Sequence, residues 1–100
     1  MIKYELKQRV DGNWYTYGNY SPDEPALMYA IKELSQRLNS NDIKLETGFF
    51  TNKAMLQRKV DGTWWHYGTY GLSEQSLIPA IIDFINTMGP ENVRLVEALD

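Results

Sequence analysis

The stretch Val10–Tyr20, VDGNWYTYGNY, returns fifty residues later as VDGTWWHYGTY, residues 60–70. An offset of fifty aligns residues 6–45 with 56–95 without a gap. Identical pairs include Leu6/Leu56, Val10/Val60, Asp11/Asp61, Gly12/Gly62, Trp14/Trp64, Tyr17/Tyr67, Gly18/Gly68 and Tyr20/Tyr70. They continue with Glu24/Glu74, Leu27/Leu77, Ala30/Ala80 and Ile31/Ile81, and end at Leu45/Leu95. Thirteen identities in forty ungapped positions read as an internal duplication. Whatever one half folds into, the other must fold into as well. Two copies are too few for a solenoid, which needs at least about three stacked repeats. They suit a single pseudo-twofold domain over residues 1–100, with repeat 1 at 1–47 and repeat 2 at 53–99.

Each copy carries the same order of signals. Ile2, Tyr4, Leu6 and Val10 alternate with Lys3, Glu5, Lys7 and Arg9, the period of a half-buried strand. Asp-Gly marks a tight hairpin, and the aromatic run Trp14–Tyr20 is the return strand. A helix follows, with Asp23 and Ser73 as aligned N-cap candidates and Glu24 and Glu74 in its first turn. Leu27, Ala30, Ile31, Leu34 and Leu38 recur at helical spacing, as do Leu77, Ala80, Ile81, Phe84 and Met88. Pro79 lacks a backbone donor, which moves the start of the second helix toward Ser76. Asn39–Asn41 and Gly89-Pro90 stop the helices, and third strands follow at Ile43–Thr47 and Val93–Leu99.

The order is therefore β-β-α-β, twice. The short link Gly48–Asn52 sets the copies side by side. The expected fold class is α+β. It is a two-layer sandwich with one mainly antiparallel sheet of about six strands and two helices on one face. A lone copy would bury too little apolar surface, and pairing two copies solves that.

Composition excludes several kinds of chemistry. The chain has no cysteine and one histidine, so disulfides, thiolate nucleophiles and Cys-based or His-rich metal sites are excluded. No cofactor is expected. No phosphate-binding glycine loop, nucleophile elbow or H-E-x-x-H occurs. Asp11 and Asp61 are residues that a tight turn requires. His66 replaces Thr16 in the second hairpin, has no identifiable partner, and reads as a surface or half-buried ring. Formal net charge is −3, with neither half basic, which counts against generic duplex binding. The first ten residues alternate and carry charge, and no run approaches a membrane span. A soluble cytoplasmic chain without membrane contact is the expectation.

The informative surface is the sheet face that the helices leave uncovered. Its composition depends on the hairpin. A two-residue Asp-Gly loop places Tyr15 and Tyr17 with Leu6, and Trp14 with Lys7 and Arg9. A three-residue loop, with Gly12 in a bulge, puts Trp14 in the core and exposes Tyr15 and Tyr17 beside the basic residues. The second register is favoured, with Gly18 and Gly68 admitting a close helix. The candidate binding residues are then Tyr15, Tyr17, Trp65, Tyr67, Lys7, Arg9 and Lys59.

Such a surface fits first a non-enzymatic protein-binding module. It would be a small regulator or inhibitor of bacterial or phage type, binding a partner protein or a second copy as a homodimer. Single-stranded nucleic acid, with bases stacked on the rings, is the second reading. Cross-strand aromatic pairs that only stabilise the sheet are the third, and an enzyme using His66 is the weakest.

Overall fold

The computed structural model describes residues 3–48 and 53–98. Ile2, Leu99 and link residues 49–52, all included in the sequence reading, lie outside the described residues. The elements are β1 (Tyr4–Val10), β2 (Asn13–Tyr20), α1 (Pro25–Ser35), β3 (Ile43–Glu46), β4 (Lys53–Val60), β5 (Thr63–Gly71), α2 (Leu77–Met88) and β6 (Val93–Glu97). Over the described residues the protein is α+β, with two α-helices and six antiparallel strands.

The strands form two sheets of three, ordered β2-β1-β3 and β5-β4-β6, and not the single sheet of six expected from the sequence. In each, the first strand of the half is central and the third is an edge. The edge of β3 is only four residues long. It faces a groove of about 570 Å³ whose far wall is Leu72, Ser73, Glu74, Gln75 and Ile78. That wall is the turn leading into α2, so β3 meets a turn where a continuous sheet would place another strand.

One core joins the halves. Tyr4, Leu6, Ile43 and Leu45 pack with Leu56, Val93 and Leu95 and with both helices. α1 buries Leu27, Met28, Ala30, Ile31 and Leu34. α2 buries Leu77, Ile78, Ile81 and Ile85, so its apolar stripe is rotated from the expected one, and Ala80 and Phe84 are only partly buried. Each fully buried Leu or Ile side chain contributes about 1.5–3 kcal/mol.

The start of the first helix also differs from the sequence reading. The N-cap of α1 is Glu24, because Pro25 occupies the first helical position, where a missing N–H costs nothing. Asp23 lies outside the helix. α2 begins after Ser76, the later of the two starts that the sequence offers, and Pro79 sits in the first turn, where its lost donor would be unpaired anyway. Glu24 and Glu74 precede the helices and close the turns leading into them. Their Oε1 atoms accept from the N–H of Ser21 (2.9 Å) and of Gly71 (3.1 Å). The Ser76 hydroxyl and the Gly71 N–H together hold the Glu74 carboxyl below its ordinary range.

Both hairpins have two-residue turns, with Val10 opposite Asn13 and Val60 opposite Thr63. Asp11 and Gly12 have φ of 52° and 81°, and Asp61 and Gly62 have 51° and 79°. Positive φ at both central residues is the type I′ turn, whose twist matches that of the strands. The expected bulge at Gly12 is therefore absent. A bulge does occur further along: Lys7 faces Thr16 and Leu6 faces Gly18, leaving Tyr17 as an extra residue. Tyr67 is the extra residue between His66 and Gly68 in the second hairpin.

The bulge inverts the side-chain phase halfway along β2. Each of the two registers weighed from the sequence is right for half the strand. Trp14 and Thr16 share the outer face with Arg9 and Lys7, so Trp14 is not in the core. Gly18 and Tyr20 share the inner face with Leu6 and Tyr4, and Tyr20 packs against the core. Gly18 makes room for a ring, not a helix. A Cβ there would lie 2.7 Å from the Tyr20 hydroxyl, and at Gly68 it would lie 3.1 Å from the Tyr70 ring.

Candidate binding surfaces

The seven residues singled out from the sequence divide between two surfaces. Lys7, Arg9 and Lys59 lie on the outer faces of the sheets. Tyr15, Tyr17, Trp65 and Tyr67 lie on the helix side. The aromatics and cations expected side by side are thus separated by the thickness of a sheet. The two-residue turn and the later bulge together cause this.

On the helix side, the ends of the hairpins near the turns are exposed. Tyr15, opposite Gln8, is 53% exposed, and Trp65, opposite Arg58, is 56% exposed. Val10 and Val60 flank them and are also exposed. Tyr67 is 51% exposed and meets Phe84 of α2 edge-on, with ring centroids 4.7 Å apart. The Arg58 guanidinium covers both rings, at 5.5 Å from Tyr67 and 5.8 Å from Phe84. Tyr17 is half-buried. A hydrogen bond to the Glu33 carboxylate of α1, aided by burial, raises its hydroxyl pKa. Tyr17 therefore serves packing against α1, while Tyr15, Trp65 and Tyr67 present free ring surface.

The outer face of the first sheet is laced with ion pairs. Lys7 Nζ meets Glu46 at 2.8 Å and Glu5 at 3.7 Å, and Lys44 meets Glu46 at 3.1 Å. Hydrogen bonds from Lys7 and then Lys44 hold the Glu46 carboxyl below its ordinary value. Thr16 donates its hydroxyl to Glu5. Arg9 bonds Asp42 through Nε at 2.8 Å and the Asn41 carbonyl through Nη2 at 3.1 Å. Trp14 lies under Lys44 (4.2 Å) and Arg9 (5.1 Å). The second sheet repeats only the tryptophan part. Arg94 and Lys59 lie 4.2 and 5.4 Å from the Trp64 ring, and Arg94 Nε donates to Gln57 at 2.8 Å. Lys44, Arg94 and Gln57 were missed by sequence reasoning. Their β3–β1 and β6–β4 pairing could have been traced only with the register in hand.

His66 is exposed on the second outer face, opposite Gln57. Among the described residues, no three His, Asp or Glu side chains gather as metal ligands. No helix among them is long and apolar enough to cross a membrane. Comparison with family models, curated proteins and solved structures finds no match.

Proposed function

We propose that the chain is a non-enzymatic protein-binding module, a small regulator or inhibitor that acts by covering a partner's surface. The observation that carries this reading is the half-exposed aromatic set on the helix side, Tyr15 and Trp65 toward the hairpin turns and Tyr67 at the bulge. Tyr and Trp supply large contact area at low entropic cost and dominate interface energetics. On this reading the repeated β-β-α-β half is an ancient duplication. Its two tips give two related contact points on one rigid body, for a partner protein or for a second copy.

The test is affinity capture from source-cell lysate with wild type, Tyr15→Glu and Trp65→Glu, each checked for native circular dichroism. A partner that wild type retains and both folded variants lose supports the reading. An unchanged partner profile in both variants would sink it. Sedimentation of the purified chain separates self-association from capture of another protein.

Single-stranded nucleic acid is the second reading, on the specific ground that Trp64, His66, Lys59 and Arg94 share one sheet face. It requires binding to short oligonucleotides that weakens with added salt.

A further inference from the structure

The two outer faces superpose row by row through the registers, and they differ in charge. In the first sheet the rows across are Trp14–Arg9, Thr16–Lys7–Lys44 and Asn19–Glu5–Glu46. In the second they are Trp64–Lys59, His66–Gln57–Arg94 and Thr69–Met55–Val96. The first face sets three cations against Glu5, Glu46 and the neighbouring Asp42, and every cation is ion-paired. In the second, Met55 and Val96 stand where Glu5 and Glu46 stand in the first. No carboxylate among the described residues pairs with Lys59 or Arg94. The nearest acids by register are Glu97, on the inner side of β6 opposite Ala54, and Asp61, in the turn.

We infer that the outer face of the second sheet docks an acidic, apolar-bearing extended segment of a partner protein, with Arg94 receiving a carboxylate. This inference rests on the protein-binding reading and names the chemistry of the partner. Arg94 is organised in advance: Gln57 fixes Nε and Trp64 underlies the guanidinium plane. Both terminal nitrogens lack a hydrogen-bond partner among the described residues. A planar guanidinium fork matches a carboxylate in bidentate fashion, and its prior ordering reduces the entropy lost on binding. On the first face Lys44 stands in the place of Arg94 and has no fork, and the guanidinium of Arg9, which aligns with Lys59, is already engaged by Asp42 and Asn41. Lys59 offers a second positive charge one row away, and Met55 and Val96 offer an apolar row on the other side. An extended segment alternating acidic and apolar side chains answers all three rows.

Two other occupants fit less well. A second copy meeting this face across a twofold axis would set Arg94 and Lys59 against their own like charges. A nucleic-acid strand needs a continuous track of cations, whereas here the apolar Met55–Val96 row parts Lys53 from Arg94 and Lys59, on a chain of net charge −3.

The experiment is ¹⁵N NMR on the full chain, following the Trp14 and Trp64 indole and Arg94 Nε signals. The probe is a short peptide alternating Glu with Val and Thr. Its Gln-for-Glu analogue and a short oligothymidylate are run in parallel. The Glu peptide is expected to move Trp64 and Arg94 and leave Trp14 in place. The Gln analogue and Arg94→Gln each weaken binding by about tenfold, and Lys44→Gln leaves it unchanged. Arg94→Lys, which keeps charge but loses the fork, also binds more weakly and covers the case of an unfolded Arg94→Gln. Equal shifts at Trp14, wild-type affinity in folded Arg94→Gln or Arg94→Lys, no shift with the Glu peptide, or tighter binding of the oligonucleotide would each overturn the assignment. Arg94→Gln is carried through the same lysate capture as Trp65→Glu. A partner lost by Trp65→Glu and kept by Arg94→Gln refutes the acidic-segment site while leaving the protein-binding reading standing.

Discussion

Tyr4 is the largest side chain in the core. It is 1% exposed, and its hydroxyl has no hydrogen-bond partner among the described residues. Burial, with a smaller contribution from the Glu97 charge, pushes its pKa up from 10.0 to about 12. Tyr4→Phe keeps the ring and deletes the orphaned oxygen. An unmade buried hydrogen bond costs about 1–3 kcal/mol, so the variant is expected to be more stable by about 1 kcal/mol at neutral pH. In a domain of this size that raises Tm by roughly 4–8 °C. The alkaline limb gives a second, independent reading. The folded pKa lies above the unfolded one, so the unfolded chain loses this proton first. Tyr4's contribution is whole below pH 10 and falls as pH rises toward 12. The loss amounts to about 1 kcal/mol by about pH 11 and about 3 kcal/mol in full. Urea denaturation of wild type and Tyr4→Phe between pH 7 and about pH 11 measures both effects. Wild type should lose stability more steeply than the variant above pH 10. A variant destabilised at pH 7, with an unchanged alkaline slope, would show that the hydroxyl is satisfied and refute the reasoning.

Three further perturbations follow from the hairpins and the first outer face. Gly18→Ala drives a Cβ into the Tyr20 ring and should cost about 1–2 kcal/mol by thermal denaturation, with Gly68→Ala costing less because its clearance is wider. Asp11→Val places a β-branched residue at φ 52° and should cost about 1–2 kcal/mol, whereas Asp11→Asn should be near neutral. Glu46→Gln should flatten the acid limb of stability. The Glu46 contribution is present above its ordinary pKa of 4.5 and is lost as pH falls through its lower folded value, which denaturation midpoints on the acid side of neutrality would register.

The element order was legible because each segment carries its own period: two in Tyr4–Val10, 3.6 in Leu27–Leu34. The positions of the turns were legible because Asp-Gly accepts positive φ, but their two-residue length was not, since the sequence reading favours the three-residue loop. The face assignment was not. One extra residue, Tyr17, reverses the phase, and nothing in the composition of β2 distinguishes the residue that bulges from its neighbours. The division into two sheets was equally hidden, since it depends on which element the β3 edge meets across a groove. Exposure of Tyr15 and Trp65 could be anticipated from their difference between the copies. The neighbourhood of Lys7, Arg9 and Lys59 could not, because it is set by Lys44, Glu46 and Arg94, which come from strands distant in sequence.

The bulge at Tyr17 and Tyr67 also divides each hairpin into two zones with different freedom to vary. Away from the turn, Tyr17/Tyr67, Gly18/Gly68 and Tyr20/Tyr70 are identical in both halves, the glycine lying against the second tyrosine ring, and Asn19/Thr69 alone differs. Toward the turn, Asn13/Thr63, Tyr15/Trp65 and Thr16/His66 all differ, and Trp14/Trp64 alone is kept. A substitution in the outer zone does not propagate into the inner one, because the register is reset between them. Each hairpin is thus a fixed stem carrying an interchangeable tip, so new contact chemistry can be grafted onto the protein at two points without renegotiating its core.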